Sequence, residues 1–204
     1  MRLLQYTMRH PNIYPIVGNH DYFALKYLRW LNSEITTHSI DKIDSVFLEV
    51  FLEWLHDGGQ STVNEFKLLS ATQRQDILEY LAEFRLFEEL TVNQNRFVLV
   101  HAGIEHFRRD KPLTAYSFSD LIFTHPDYQT EYFPDRYLVT GHTPTRVIRQ
   151  SLFQTSEAPQ DTIFRAHHHL AIDCGCTYGG QLAALRLDDF AAFYVAGEAA
   201  EKEE

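Results

Sequence analysis

The sequence has no apolar run close to the roughly 20 residues that a membrane-spanning helix needs. Its first residues, Met1-Arg-Leu-Leu-Gln-Tyr, also lack the long apolar region of a secretory signal. The chain has only two cysteines, Cys174 and Cys176, and cysteines this close do not suit a disulfide with each other. A chain with so few cysteines is typical of a protein in a reducing compartment, where disulfides are rare. We therefore expect a soluble cytoplasmic protein without a membrane partner.

Positive charge is also scarce. The 204 residues carry a formal net charge of −10, which argues against a general nucleic-acid binder or an anionic-membrane binder. Part of this charge lies in the last residues, and we interpret residues 196–204 as a solvated acidic tail. Hydrophobic residues make up 45% of the chain, which excludes disorder for most of its length. We expect one domain over residues 1–195, and its oligomeric state stays open.

The apolar spacing predicts helices first and strands later. Residues 1–9 look helical, residues 13–17 look like a strand, and residues 22–88 look like a helical insert. Within this insert, one amphipathic helix containing Phe47, Phe51 and Trp54 should end at the pair Gly58-Gly59.

Two capping-box patterns predict helix starts at Thr62-x-x-Glu65 and at Ser70-x-x-Gln73. After the insert, Asn93-Gln94-Asn95 separates two apolar runs in the manner of a hairpin. A short helix near 117–122 is expected, and His167-His168-His169 fits a polar turn that leads into a strand better than a metal site. Strands are predicted at 137–139, 163–166, 169–172, 181–187 and 192–195. This order of elements favours an α+β layered β-sandwich.

One pattern occurs three times: an apolar run followed by a ligand-type side chain beside a glycine. The three segments are Gly18-Asn19-His20-Asp21, Val100-His101-Ala102-Gly103 and Gly141-His142-Thr143. Because strand ends can converge at one sheet edge, Asn19, His101 and His142 are candidate ligands of one divalent ion, Mn, Fe or Zn. The alternative is that each histidine is a hydrogen-bonded core residue.

The neighbours of Asn19 suit other tasks. His20 should face another way than Asn19, and its imidazole suits a proton donor or acceptor beside the ion. Asp21 is expected to cap the helix that follows.

These three segments, with Pro144 after the last, resemble the later motifs of the calcineurin-like metallophosphoesterases. The likeness is strongest to the phosphoprotein phosphatase branch, with its bacterial and phage-type serine/threonine phosphatases and the related dinucleoside-tetraphosphate hydrolases. Ile172-Asp173-Cys174-Gly175 and Gly179-Gly180-Gln181-Leu182 resemble the segment that closes that fold. The resemblance implies two packed mixed sheets flanked by helices, and a dinuclear Mn or Fe centre.

The same resemblance implies residue roles. Asn19, His101 and His142 would bind the second of the two ions, and His20 would protonate the leaving oxygen of a phosphate ester or anhydride. Two ions clamp the attacking and leaving oxygens in such centres. The substrate would be phosphorylated, and a phosphoprotein, a dinucleoside polyphosphate and a small phosphomonoester all stay open.

The sequence departs from the family before the first of these segments. The family places an Asp-x-His motif and a Gly-Asp-x-x-Asp-Arg-Gly motif there, whereas residues 1–20 contain no Asp or Glu. We therefore expect an N-terminally truncated fold that lacks the first metal site and one or two central strands. The alternative function is a non-catalytic remnant that binds a metal weakly or acts as an interaction module.

Phosphate binding departs from the family as well. Where the family has an arginine between its last two motifs, this chain has His125 in a loose alignment. We name His125 and Arg146 as candidate substrate-binding residues, although a solvated surface arginine is the plainer reading of Arg146. Unranked alternatives are Arg108, Arg109 and Arg136.

Overall fold

The computed structural model describes residues 1–33, 44–153 and 160–197, and the chain divides into two compact units, Met1–Arg85 and Leu86–Glu204. The first unit is helical and the second contains the sheets, so the predicted α+β class is confirmed. The layered sandwich and the truncated sheet stay predictions. Most of the predicted acidic tail lies outside the described residues. Within the described ranges, no helix is long and apolar enough to cross a membrane.

The described part of the first unit is mainly helical. Its helices are α1 (Arg2–Met8), α2 (Asn19–Asn32), α3 (Ser45–Trp54), α4 (Gln60–Lys67) and α5 (Ala71–Ala82). The predicted cap of α5 is confirmed, because the Ser70 hydroxyl accepts from the Gln73 N–H and the Gln73 side-chain Oε1 accepts from the Ser70 N–H. The cap predicted at Thr62 is wrong, since Thr62 lies inside α4, where preceding residues already continue the helix.

The strand predicted at 13–17 is also wrong in extent. Only Ile16 forms a bridge, in parallel with Arg85, with the Val17 N–H donating to the Arg85 carbonyl at 2.8 Å. Proline has no N–H to continue a ladder, and Pro15 directly precedes the bridge. The segment is therefore a single contact that leads into α2.

An aromatic core holds the helices of the first unit together. Tyr27 of α2 is fully buried and stacks on Trp54 of α3, with ring centroids 5.5 Å apart. Buried Phe66 and Ile77 extend this core to α4 and α5. Such side chains contribute about 2–3 kcal/mol each when fully buried, so this cluster fixes the helix arrangement.

The helical backbone that begins with α3 is interrupted at the glycine pair, as predicted. Residues Leu55–Gly59 join α3 to α4 through a kink, in which Gly58 takes φ +98°. Only glycine adopts that conformation at little cost, so Gly58 allows the kink that separates the two helices. Gly59 is needed for another reason: a Cβ there would lie 2.5 Å from two ring carbons of Trp54.

The second unit carries two sheets. Its strands are β1 (Phe87–Val92), β2 (Asn95–Val100), β3 (Tyr137–Thr140), β4 (Phe164–Ala166), β5 (His169–Ala171), β6 (Gln181–Leu185) and β7 (Ala192–Ala196). Its helices are α6 (Phe118–Ile122), which was predicted, and α7 (Thr145–Phe153), which was not. Short 3₁₀ turns cover Leu113–Ala115 and Cys176–Tyr178.

The five-stranded sheet has the order β1-β2-β3-β5-β4, and β6 pairs with β7 separately. Strands β2, β3 and β5 are parallel, whereas the outer pairs β1–β2 and β4–β5 are antiparallel. The predicted hairpin is confirmed, because Asn93 and Gln94 take φ +46° and +69° between β1 and β2. The parallel strands all end at one edge of the sheet.

His169 is a buried histidine in β5. The predicted turn before it is confirmed, with His167 and His168 at positive φ. His169 is 1% exposed, its Nε2 hydrogen-bonds Thr140 Oγ1 at 2.9 Å, and its ring stacks on Tyr128. Burial lowers the pKa of His169 from 6.5 to about 4.

We predict that His169 makes the protein less stable in mild acid. Its folded-state pKa is lowered, so below pH 6.5 the unfolded chain takes up a proton that the folded chain refuses until about pH 4. The free energy of unfolding should fall across this window by up to about 3 kcal/mol from this group. Urea unfolding at several pH values measures the fall. The fall in unfolding free energy should be smaller in His169→Leu than in the wild type, and as large as in the wild type in the exposed-turn variant His167→Asn. Equal falls in all three proteins would contradict the prediction.

We predict that Gly59→Ala destabilises the protein, although alanine favours helices. The helix propensity gain is at most about 1 kcal/mol. The new Cβ would lie 2.7 Å from the Trp54 carbonyl as well as against its ring, and such overpacking costs about 1–3 kcal/mol. Thermal or urea unfolding should show a net loss, with exposed Gln60→Ala as the control. An unchanged or raised stability of Gly59→Ala would show that the kink is not packed this tightly.

Candidate active site

His101 and His142 lie together at the carboxyl edge of the parallel strands. His101 directly follows β2 and His142 comes two residues after β3. The Gly141 N–H donates to the His101 carbonyl at 2.7 Å, and the two imidazole centroids are 5.1 Å apart. The structure therefore brings together these two sequence-predicted residues.

The backbone at His142 is strained. His142 has φ +65°, in the left-handed region, which costs a non-glycine residue on the order of 1 kcal/mol. A tight turn holds it there: the Thr143 N–H donates to the Gly141 carbonyl at 2.7 Å, and the Thr145 N–H donates to the Asp173 carbonyl at 2.8 Å. Strain kept in this way is concentrated at functional sites.

Asp173, for which the sequence predicts no role, lies at the same sheet edge, two residues beyond β5. Its Oδ1 accepts a hydrogen bond from the Gly175 N–H at 2.9 Å, in a turn formed by its own side chain. The signal that could have identified it is its position after an apolar strand, the same one that marked the two histidines. Asp173 thus shapes the loop beside His142.

His125 contacts His142 from the loop after α6. Its exposed ring stacks on His142 with centroids 5.2 Å apart, and its Nδ1 hydrogen-bonds Thr143 Oγ1 at 3.0 Å. This bond occupies Nδ1, so Nε2 is the nitrogen that His125 could offer to an anion. Substrate binding by His125 stays a prediction, and its position fits that role.

Arg146 is engaged elsewhere. Its guanidinium makes a two-pronged ion pair with Asp161, at 2.6 and 2.5 Å, and both side chains are largely shielded from solvent. The hydrogen bonds that Arg146 donates to the Asp161 carboxylate raise the pKa of Arg146. A Cβ at Gly180 would lie 2.8 Å from the Arg146 Nη2, so the arginine packs closely against the closing loop. This geometry favours a structural role over the predicted phosphate contact, which remains untested.

Asn19 and His20 open helix α2 in the first unit. Gly18 is the N-cap, and the Asp21 carboxylate accepts from the Gly18 N–H at 2.9 Å, so the predicted capping role of Asp21 is confirmed. Burial raises the pKa of the Asp21 carboxyl. His20 Nε2 lies 3.0 Å from Asp57 Oδ2, a partner that the sequence did not reveal because 37 residues separate the two.

The metal prediction can be compared with these donors. In the described ranges, no three or more His, Cys, Asp or Glu side chains are grouped so as to hold an ion. The adjacent imidazoles of His101 and His142 suit a borderline divalent ion such as Mn, Fe or Zn, which would need oxygen donors in addition. Asn19, the predicted oxygen donor, belongs to the other unit. The three-residue ligand set stays a prediction.

Two curated bacterial proteins are similar to this chain in sequence. A bis(5'-nucleosyl)-tetraphosphatase PrpE (asymmetrical) of Halalkalibacterium halodurans is 28% identical over 149 residues, 65% of this chain and 53% of the relative. The PrpE of Geobacillus thermodenitrificans is 29% identical over 145 residues, 63% and 52% of the two chains. The chain therefore spans about half the length of the curated relatives it matches. No protein-family model matches the chain.

A solved structure is similar in fold. A crystal structure of a candidate diadenosine tetraphosphatase superposes with a TM-score of 0.57 at 14% identity, over 97% of this chain and 72% of the other. At that identity the likeness shows the fold alone, a mixed α+β fold with helices and a mixed sheet. Both sequence relatives carry the name of a bis(5'-nucleosyl)-tetraphosphatase, which is a statement about those proteins.

Proposed function

We propose that the chain is a metal-dependent phosphoesterase that cleaves phosphate anhydrides, with dinucleoside polyphosphates as the favoured substrate class. The observation that carries this proposal is the pair His101 and His142, side by side at the ends of adjacent parallel strands, with His142 held at a strained φ. The names of the two sequence relatives support the anhydride over a phosphoprotein or a small phosphomonoester.

The donors of the second unit fit a divalent ion. His101 and His142 would hold it through neutral imidazole nitrogens, and the family resemblance adds Asn19 as a third ligand and a second ion beside the first. Mn or Fe fits this mixture of nitrogen and oxygen donors, and Zn is also compatible. A bound ion would neutralise charge on the phosphoryl oxygens and make water a better nucleophile.

The chain's own side chains would do the remaining work. His20, at the exposed start of α2, would give a proton to the leaving oxygen. His125 would hydrogen-bond a phosphoryl oxygen through Nε2, since Thr143 holds its Nδ1. General acid catalysis raises a reaction rate about 10²–10⁴-fold. Loss of His20 should therefore lower kcat most for substrates with a poor leaving group.

The test compares metal-dependent hydrolysis of diadenosine tetraphosphate, a phosphopeptide and p-nitrophenyl phosphate. We expect Mn²⁺-dependent activity, abolished by a chelator, with the dinucleotide cleaved most efficiently. His101→Ala should lower kcat/KM by at least about a hundredfold. His142→Gly should do the same while keeping or raising the free energy of unfolding, because glycine relieves the strain at φ +65°.

The exposed-turn variant His167→Asn is the matched control and should keep full activity, since asparagine also tolerates positive φ. A preference for the phosphopeptide would overturn the substrate class. Absence of hydrolysis at every metal concentration would overturn the proposed activity and favour the alternative of a non-catalytic metal-binding or interaction module.

A further inference from the structure

The exposed imidazole of His20 is held by a carboxylate from the segment between α3 and α4. His20 Nε2 and Asp57 Oδ2 are 3.0 Å apart, well within hydrogen-bond range. The side chains are 48% and 65% exposed, so the pair is open to a ligand and not sealed in a core. An exposed ion pair contributes little to stability, about 0–1 kcal/mol, so stability alone does not explain this one.

The backbone at Asp57 is irregular, and the irregularity presents the carboxylate. Asp57 lies at the kink between α3 and α4, with φ −83° and ψ 30°, and is followed by Gly58 at φ +98°. The Ser61 hydroxyl donates to the Gly58 carbonyl at 2.9 Å and secures the turn. Asp57 therefore lies where the helical backbone is interrupted, at the junction of α3 and α4.

One core fixes both ends of the pair. His20 is the second residue of α2, which buries Tyr27, and Asp57 follows Trp54, whose ring stacks on Tyr27. Gly59 closes the turn against the same Trp54 ring. The contact is therefore set by packing beneath it as well as by its own attraction.

We propose that Asp57 is the positioning residue of His20. It accepts the Nε2 hydrogen, fixes the ring and its tautomer, and leaves Nδ1 as the nitrogen that exchanges a proton with a ligand. A partner on one ring nitrogen determines which nitrogen carries the hydrogen. The catalytic consequence rests on the proposed phosphoesterase function: His20 delivers the proton to the leaving oxygen from Nδ1, and Asp57 holds it in line.

The first test uses the metal-free protein and needs no activity. Side-chain ¹⁵N spectra, taken at a pH that keeps imidazoles neutral and assigned with His20→Asn, should show His20 as a single tautomer with the hydrogen on Nε2. In Asp57→Ala both nitrogen signals should move towards the tautomer mixture of a free imidazole, and Asp57→Glu should restore part of the shift. The neighbouring variant His56→Ala should match wild type. Identical His20 signals in wild type and Asp57→Ala would overturn the proposal.

The second test separates positioning from a structural effect. Asp57→Ala should lower kcat for diadenosine tetraphosphate about ten- to a hundredfold with little change in KM, and have no further effect in a His20→Asn background. An equal loss in both backgrounds would show that Asp57 supports the fold instead. If the wild-type chain hydrolyses nothing, the proposed function fails, whereas the spectra still decide whether Asp57 positions His20.

Discussion

The parallel pairing of β2 with β3 is the constraint that brings the side chains of His101 and His142 together. Its register places Leu99 opposite Val139, and the Gly141 N–H extends the ladder to the His101 carbonyl. His101 thus lies opposite a glycine, and the left-handed turn at His142 directs the chain so that the two rings meet. Because side chains alternate between the faces of a strand, a shift of one residue would turn His101 to the other face. Buried Phe97, Val98 and Leu138 resist that shift.

The first unit positions His20 with helices instead of paired strands. Nothing in a sheet positions His20; a helix start and a kinked helix junction do so, through the stacked rings of Tyr27 and Trp54. The two glycines of the junction have different tasks, since Gly58 supplies a backbone angle and Gly59 supplies space. Irregular backbone at both His142 and Asp57 fits the general tendency of functional sites to keep local strain that the surrounding packing supports.

Features that depend on neighbouring residues could be predicted from the sequence, whereas contacts between residues far apart in the chain could not. The cap at Ser70, the hairpin at Asn93 and the turn at His167 each depend on adjacent residues, so their chemistry is readable directly. The strand at 13–17 was overpredicted because apolar residues favour a strand even where Pro15 breaks its ladder. Helix α7 was not predicted, although four of its nine residues are apolar, namely Val147, Ile148, Leu152 and Phe153. The Asp57 contact required the tertiary packing of two helices.

Charge explains why Arg146 was a weak candidate and why an ion matters to the proposed chemistry. Every arginine of the second unit already contacts a carboxylate or a backbone carbonyl: Arg96, Arg108, Arg109, Arg136, Arg146, Arg149, Arg165 and Arg186. The whole chain carries a net charge of −10. A polyphosphate that approaches this protein is repelled by the net negative charge. The arginines offset this repulsion only weakly, because each must first give up a hydrogen bond to its present acceptor. Divalent cations held by neutral imidazoles would add positive charge where the phosphates bind, without adding any carboxylate. The proposed reaction therefore depends on the His101–His142 pair more than on any arginine of the second unit.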